Sequence, residues 1–506
     1  MKGNVARILA VALVGPPFVV GLTGVGVPLP VAIAVAATIA AVVVWRSRVA
    51  LADLHRTLPS IAGRIVFLVA LALATFYIVQ LSRFMYDETR ADLSVLPGRE
   101  FFRTHSCLSS YTEADRFAVA GSNIYDPAQY AIVPQPGEFK DKFIGPFVID
   151  FYQYPPGFLL LPRVASEAGL DFFATRRVWF AVQAMLLFAA MVGLARWVGG
   201  ACGAVVLLLV PFVWLAPTTR LTFQVGNFQL TAFAVAILAM LAFERRRSWA
   251  GGLALGFVTV GKIFPGALAV PLVAQRRWSA LGWTAAWIVA LTLLAWLVIG
   301  GKPFVDFFHY QLPRIQSGEA FFWIEFPQFA PVNESLYGLI TKLRVLGLPG
   351  TSHAMGNAVA TVYAVLLIPI GFLAGVRLRR IAATMDPGVV RLRQAQVWLA
   401  LLNLASFRSP FVPDGYGFIG TLWLLTLVAA ESRRRWSAWV GFAAVGAAFC
   451  LILDGGLVPV PVPAWIALGT LAVQVTAIAL NVTAAVTPHR RAAVFSPESS
   501  APGVCA

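Results

Sequence analysis

Polar side chains that can bind an anion interrupt two of the most apolar parts of the chain. The stretch RLTFQVGNFQ places Arg220, Gln224 and Asn227 four and three residues apart, so on a helix they would share one face. The stretch GKIFPG holds Lys262 near the middle of another apolar run. Because Arg and Lys bind phosphate through charge and hydrogen bonds, this pattern predicts a phosphate-binding site. The alternative is that the amides join helices by hydrogen bonds.

Acidic and His side chains between the apolar runs could act as a general base. Asp87 follows an early apolar run, His105 lies in HSCLSSY, and Asp115 lies one helical turn after Tyr111. A carboxylate can take a proton from an attacking hydroxyl, and a His can do so near neutral pH. Combined with the cations, this indicates transfer of a group from a lipid phosphate, although a transporter of anions would carry similar groups. No cluster has metal-ligand spacing, so we expect no obligatory metal or other cofactor.

The elements that position these residues are membrane helices. Of 506 residues, 59% are hydrophobic and only 12% are charged, whereas about 25% are charged in a soluble protein. Apolar runs close to the length that crosses the hydrocarbon core recur along the whole chain. The sequence therefore predicts an all-α polytopic membrane protein with about twelve transmembrane helices, because a β-barrel would show alternating rather than continuous runs.

The net charge of +16 does not indicate a nucleic-acid partner. The Arg residues form short clusters between apolar runs, as the positive-inside rule describes for cytoplasmic loops. These clusters are RSR at 46–48, ERRRS at 244–248, RR at 276–277, RLRR at 377–380, RRR at 433–435 and HRR at 489–491. With all six placed in the cytoplasm, two long polar segments, about 84–176 and 300–352, face the exterior.

Residues 249–275 do not fit a single span, because they lie between two basic clusters on the same side. We expect a broken or re-entrant hairpin with Lys262 near its tip, since irregular backbone at that depth must be enclosed by protein or line a water-filled cavity. One tilted helix whose Lys262 extends to the interface is the alternative. The expected organisation is an N-terminal hairpin with a basic loop (1–62), a catalytic membrane domain (63–486) and a disordered tail (487–506).

The outer segments contain short elements and further candidate ligands. We expect a helix over 109–121, with Ser110 and Glu113 as a capping box and Gly121 at its end. Asp126, before a proline, is typical of a turn. Aromatic residues accompany the candidate substrate-binding residues of three outer stretches, which are Tyr154, His309, Asn333 and Arg408.

In order and spacing these motifs resemble glycosyltransferase family 87 of the GT-C superfamily, over about residues 105–430. The stretches that carry the resemblance are Tyr111, Ala114, Gly121 and Tyr125, then YQYPPGFLLLP (152–162), QVGNFQ (224–229), VGKIFPGAL (260–268), NESLYGL (333–339) and FRSPFVPDGY (407–416). The resemblance implies a GT-C-like helical bundle, a polyprenyl-phosphate sugar as donor substrate, and contact between Lys262 and the donor phosphate.

The sequence departs from the family pattern at the position of the catalytic Asp. The family pattern has an Asp four residues before the Tyr, and here that position is Cys107. We rank Asp87 first as the replacement base, because it follows an early helix, then Asp115 and His105.

The resulting expectation is a hexosyl- or pentosyltransferase, mannosyltransferase-like, in the inner (plasma) membrane of a bacterium, with its site facing the periplasm or exterior. Its partners would be membrane lipid, the lipid-linked donor, and a glycan or glycolipid acceptor. The alternative is a lipid-linked sugar flippase or a secondary transporter.

Overall fold

The computed structural model describes residues 2–45, 60–132, 140–432 and 436–486, and these form a mostly helical membrane protein. The structure is 78% helical, in agreement with the expected all-α membrane class. Three basic clusters (46–48, 433–435 and 489–491) and the predicted tail lie outside the described residues.

The N-terminal helices pack onto the rest of the bundle. They are α1 (Lys2–Gly24), α2 (Leu29–Trp45) and α3 (Ile61–Tyr86). Helix α1 packs along Phe172–Val198, and the fit is tight. A Cβ atom added at Gly21 would lie 2.5 Å from the Cβ of Ala181.

Residues 87–171, which we call the first outer segment after the side of the membrane predicted for them, connect α3 to the next long helix, and the described part of this segment has little regular structure. Its helices are α4 (Glu100–Thr104), α5 (Cys107–Val119), α6 (Pro127–Tyr130) and α7 (Leu160–Glu167). Its strands are β1 (His105–Ser106), β2 (Ala131–Ile132), β3 (Lys140–Asp141), β4 (Phe143–Ile144) and β5 (Phe147–Ile149), and 3-10 turns cover Ala91–Leu93 and Pro156–Leu159. Strand β5 pairs parallel with β1 and antiparallel with β4, and β2 pairs antiparallel with β3.

The middle of the chain is a run of apolar helices. They are α8 (Phe172–Val198), α9 (Gly200–Leu208), α10 (Val210–Leu215), α11 (Pro217–Val225), α12 (Phe228–Glu244), α13 (Ser248–Gly261), α14 (Ala269–Ala274, after a 3-10 turn at Phe264–Leu268) and α15 (Trp278–Ile299). Helix α8 contributes buried residues along most of its length and so forms part of the core.

A second outer segment and the C-terminal helices complete the fold. The segment holds α16 (Lys302–Asp306), a π-helical turn (Phe307–Gln311), α17 (Leu312–Ser317), 3-10 turns (Glu319–Glu325 and Pro327–Phe329) and α18 (Leu336–Val345). Then follow α19 (His353–Ala382), α20 (Pro387–Ser406), α21 (Asp414–Gly417), α22 (Ile419–Glu431), α23 (Trp436–Ala448), a 3-10 turn (Gly455–Leu457) and α24 (Ala464–Val486).

Six helices of the described residues are long and apolar enough to cross a membrane, or seven if one bent pair forms a single span. The six are Val5–Gly24, α3, α8, α15, α19 and α24. Shorter apolar helices of 10–17 residues lie between them. The expected count of about twelve transmembrane helices therefore stays a prediction.

The chain bends by 62° between α10 and α11, because Pro217 disfavours helical backbone at Ala216, whose ψ is 130°. The prediction that Arg220, Gln224 and Asn227 share one helical face was wrong: Gly226, with φ +71°, ends α11, and Asn227 instead caps α12. Only Arg220 and Gln224 share a helix.

The predicted capping box was wrong as well, although the helix exists. Helix α5 begins at Cys107, earlier than expected, so Ser110 and Glu113 lie inside it. Glu113 instead forms an ion pair with Arg116. The turn assigned to Asp126 is confirmed, since its carboxylate accepts the N–H of Ala128.

A buried ion pair joins the second outer segment to the last helix. Lys342 Nζ lies 3.1 Å from Glu334 Oε2, and the two side chains are 0% and 2% exposed. The ammonium also donates to the Asn333 carbonyl at 2.9 Å and to Gln474 Oε1 of α24 at 3.0 Å. Removing one partner of such a pair leaves an uncompensated buried charge.

We expect Lys342→Met to lower the free energy of unfolding by about 3 kcal/mol or more, because Glu334 would remain buried and unpaired. The double variant Lys342→Met/Glu334→Gln should recover most of the loss. The thermal unfolding midpoint of the detergent-solubilised protein measures both effects. Equal midpoints for the wild type and Lys342→Met would contradict this role of the pair.

Candidate active site

Parallel pairing of β1 with β5 brings a carboxylate to Cys107. His105 pairs with Val148 and Ser106 with Ile149, so the same register places Cys107 beside Asp150. The Nε2 atom of His105 lies 3.5 Å from the Cys107 Sγ and 3.9 Å from Asp150 Oδ2. Thiol and carboxylate thus converge on one imidazole nitrogen.

Neighbouring groups hold these side chains in place. The Ser109 hydroxyl of α5 accepts the Asp150 backbone N–H at 3.0 Å and lies 3.0 Å from the Val148 carbonyl, which joins the strand to the helix. Asp150 Oδ1 accepts the N–H of Phe151 at 2.9 Å. The His105 ring stacks on Phe101, with 4.7 Å between centroids. Asp150 Oδ2 is therefore the carboxylate oxygen directed toward the imidazole.

Asn227 connects this group to Lys262. Its Nδ2 donates to the Cys107 Sγ at 3.3 Å, and its Oδ1 accepts from Lys262 Nζ at 3.5 Å. The Lys262 ammonium also lies 5.2 Å from the centroid of the Tyr154 ring. We refer to His105, Cys107, Asp150, Tyr154, Asn227 and Lys262 as the polar cluster. It joins an acid, an imidazole and a cation from separate parts of the chain.

A break in the helix exposes the amine of Lys262 to this cluster. Helix α13 ends at Gly261, and Lys262 itself is extended (φ −154, ψ 109) before the 3-10 turn that contains Pro265. The Pro156–Leu159 turn packs directly on the end of α13. A Cβ atom at Gly157 would lie 2.2 Å from Val260 Cγ1, so only glycine permits this approach.

Aromatic side chains form a wall next to the amine. The hydroxyl of Tyr111 donates to that of Tyr154 at 2.8 Å and accepts the N–H of Phe228 at 3.3 Å. The ring of Phe158 stacks on Tyr154, with 4.9 Å between centroids, and meets Phe228 at 4.8 Å. Tyr111, Phe158 and Phe228 are buried and Tyr154 is half-buried, so among these rings Tyr154 is the one that a sugar ring or an apolar chain could contact.

The reactive groups remain accessible. The side chains of His105 and Asp150 are 15% and 29% exposed, and Lys262 is half-buried. Cys107 and Asn227 are buried beneath them. The acid, the imidazole and the amine are therefore each partly exposed.

Comparison with protein families identifies the chain. The model of glycosyltransferase family 87 matches residues 152–406, which is half of the chain. The protein belongs to glycosyltransferase family 87. It is therefore a multi-pass membrane glycosyltransferase of the GT-C superfamily. Comparisons with curated proteins and with solved structures give no significant match.

The family match covers part of the polar cluster of this glycosyltransferase. Tyr154, Asn227 and Lys262 lie within the matched residues, whereas His105, Cys107 and Asp150 precede them. The cationic half thus lies in the portion that matches the family, and the acidic half lies in the outer segment before it.

Electrostatics distinguish the two acids of the cluster. Burial raises the pKa of the Asp150 carboxyl above its usual value, and the nearby His105 partly offsets this. Burial also raises the pKa of the Cys107 thiol to about 12, so the thiol is neutral at physiological pH. Asp150, not Cys107, is the group that can accept a proton.

The same three side chains could also hold a metal ion. Atoms of His105, Cys107 and Asp150 lie within 4.8 Å of one another, the one such set in the part of the chain that the structure describes. Asn227 links Cys107 to the Lys262 ammonium, so a metal ion held by this set would be repelled by a second positive charge. We therefore assign the set to proton chemistry, and the expectation of no obligatory metal stays a prediction.

The other two candidate bases are occupied by local contacts. Asp87 ends α3, and its Oδ1 accepts from both the N–H and the hydroxyl of Thr89. Asp115, only 4% exposed, forms an ion pair with Arg163 Nε at 2.8 Å, which joins α5 to α7. Among the described contacts, neither carboxylate reaches the polar cluster.

Two predicted substrate ligands of α11 make contacts within the protein, Arg220 with α3 and α10 and Gln224 with the first outer segment. The Arg220 guanidinium lies 4.0 Å from the Tyr77 ring centroid and donates to the Leu215 carbonyl. Gln224 Nε2 donates to the Phe102 carbonyl at 2.6 Å, and its Oε1 accepts the N–H of Val95 at 2.7 Å. Gln224 thereby fixes the chain that leads into β1.

The remaining predicted ligands lie in the later segments. The Asn333 amide donates to the Pro410 carbonyl and accepts the N–H of Val412, which joins two outer stretches. His309 is exposed in the π-helical turn, and Arg408 is half-buried after α20. No described contact brings these three side chains to the polar cluster.

Sequence reasoning missed Asp150. A signal was present, because FVID precedes FYQYPP directly and alternates like a short strand that ends in an acid. The pairing partner of that strand could not be inferred from the pattern.

Proposed function

We propose that this glycosyltransferase moves a sugar, a mannose-like hexose or a pentose, from a polyprenyl phosphate to the hydroxyl of a glycan or glycolipid. The observation that carries the proposal is the contact chain from Asp150 through His105, Cys107 and Asn227 to Lys262. In this proposal it connects a base, Asp150, to a phosphate-binding cation, Lys262, and both side chains are partly exposed. Asp150 would replace the acid that is missing at Cys107.

The reaction is a single displacement at the anomeric carbon. The acceptor oxygen forms a bond to this carbon, while its proton passes to the Asp150 carboxylate. The bond between the carbon and the phosphate oxygen breaks, and its electron pair stays on the phosphate. Lys262 stabilises the charge that develops there, so no general acid is required. The product has an inverted anomeric configuration.

A re-entrant hairpin over about 249–275 would bring Lys262 to the exterior face. Arg277 Nη1 lies 2.5 Å from Glu244 Oε1, so the chain leaves α12 and enters α15 at the same end of the bundle. Helix α13 rises about 21 Å, and the 3-10 turn with α14 spans about 19 Å on the return. The two lengths suit a hairpin with Lys262 at its tip.

Contacts between the outer segments support a common exterior face. Gln153 donates to the Ala320 carbonyl at 2.9 Å, and Gln311 Nε2 donates to Gln153 Oε1 at 2.6 Å. We propose that both segments face the periplasm or exterior of a bacterial plasma membrane, above a GT-C-like bundle of about twelve helices. The basic clusters would then lie in the cytoplasm.

We expect Asp150→Asn to lower kcat by about 10²–10⁴-fold, because the amide cannot accept the acceptor proton. Asp87→Asn is the matched control, and it should retain near wild-type turnover because the Asp87 carboxylate bonds only Thr89 among the described side-chain hydrogen bonds. Transfer of labelled sugar by the purified protein measures both. Loss of activity in Asp87→Asn alone would assign the base to Asp87 instead.

We expect Lys262→Met to reduce kcat by about 10²–10³-fold, because it removes the cation that stabilises the departing phosphate. Lys262→Arg should recover part of this loss. Lys302→Met, which removes an exposed cation of the second outer segment, should change little. A folded Lys262→Met protein with full turnover would rule out this role of the amine.

The pH dependence of kcat/KM should report the ionisation of the Asp150 carboxyl. Activity requires the ionised carboxylate, so it should fall as pH decreases through a pKa that burial has raised above the usual value near 3.9. Since His105 lowers this pKa, His105→Gln should move the acidic limb to higher pH. An acidic limb that does not shift in this variant would show that another group titrates.

A further inference from the structure

A groove with an apolar floor and a rim of arginines lies at the basic end of the bundle. It has a volume of about 570 Å³ and lies between α1, α8, α12 and the start of α13. Small residues make room for it, among them Ala6 and Ala10 of α1 and Ala189 and Gly193 of α8. Helices α1 and α8 are among the candidate membrane spans.

Four guanidinium groups border the groove. They belong to Arg7, Arg196, Arg245 and Arg247, all exposed, and no acidic residue is among the lining residues that the structure describes. The nearest acid in sequence, Glu244, forms an ion pair with Arg277. The guanidinium groups of Arg196, Arg245 and Arg247 therefore make the rim positive, and arginine binds phosphate oxygens in a bidentate manner.

The groove is distinct from the polar cluster. Arg247 precedes α13 and Lys262 follows it, and a helix of this length separates its ends by about 21 Å. A molecule in the groove would not touch the groups assigned to catalysis.

We propose that this groove binds an anionic membrane phospholipid, with the phosphate among the arginines and an acyl chain along the apolar floor. Charge and shape both support this occupant. Basic pockets between transmembrane helices on the cytoplasmic side bind anionic headgroups, whereas a soluble anion would gain nothing from the apolar floor. The inference does not depend on the donor or acceptor of the transferase.

Native mass spectrometry of the delipidated full-length protein tests the proposal, with dioleoylphosphatidylglycerol and dioleoylphosphatidylcholine as probes. The wild type should bind the anionic lipid at least about 10-fold more tightly. Each arginine near the headgroup contributes roughly 5-fold, so Arg196→Gln/Arg245→Gln/Arg247→Gln should remove most of this preference. Arg276→Gln/Arg379→Gln/Arg380→Gln is the control, because it removes three exposed arginines outside the groove.

A second variant tests the apolar floor. Ala10→Phe fills the groove without a change of charge, and it should weaken phosphatidylglycerol binding while the arginines remain. Thermal unfolding midpoints confirm that each variant is folded. The proposal is overturned if the groove variants keep the wild-type preference or if the control loses as much as the triple variant. Equal competition by inorganic phosphate would also overturn it, since the site would then bind a free anion.

Discussion

The candidate site depends on two residue pairs of one short parallel ladder. Strands β1 and β5 contain only two and three residues, yet their register places Asp150 beside Cys107 and His105. A shift by one residue would direct the carboxylate to the opposite face of the strand. Ser109 prevents such a shift, because its hydroxyl bonds both the Asp150 N–H and the Val148 carbonyl.

The membrane environment limits the backbone conformations that can place the Lys262 ammonium near the Asp150 carboxylate. In hydrocarbon every backbone polar group needs a partner within the protein, so irregular backbone must be enclosed. Two breaks satisfy this condition here: the bend at Ala216 and the extended Lys262. Around Lys262, the Pro156–Leu159 turn and the Tyr154 ring provide the enclosure. The outer segment therefore both carries the acid and covers the break that presents the amine.

The polar residues of the outer segments fall into two groups that differ in burial and hydrogen bonding. Gln224, Asp115 and Asn333 make buried bonds between segments, and such groups are costly to leave unsatisfied. Asp150, His105 and Lys262 have incomplete local bonding and partial exposure. Accessible groups with spare bonding capacity can contact a substrate, whereas saturated ones hold the scaffold that positions them.

The sequence by itself determined the all-α membrane class and the family. Helices α3, α15 and α24 follow apolar runs that are visible in the sequence, because apolar run length is a local property. Lys262 was also found from sequence, since a charge within an apolar run is conspicuous. Only the tertiary structure decided which acid accompanies it. Asp87 and Asp115 had plausible positions along the chain, but Asp150 reaches the cluster through pairing with a strand some 43 residues earlier, and such a register is set by contacts that no local pattern encodes.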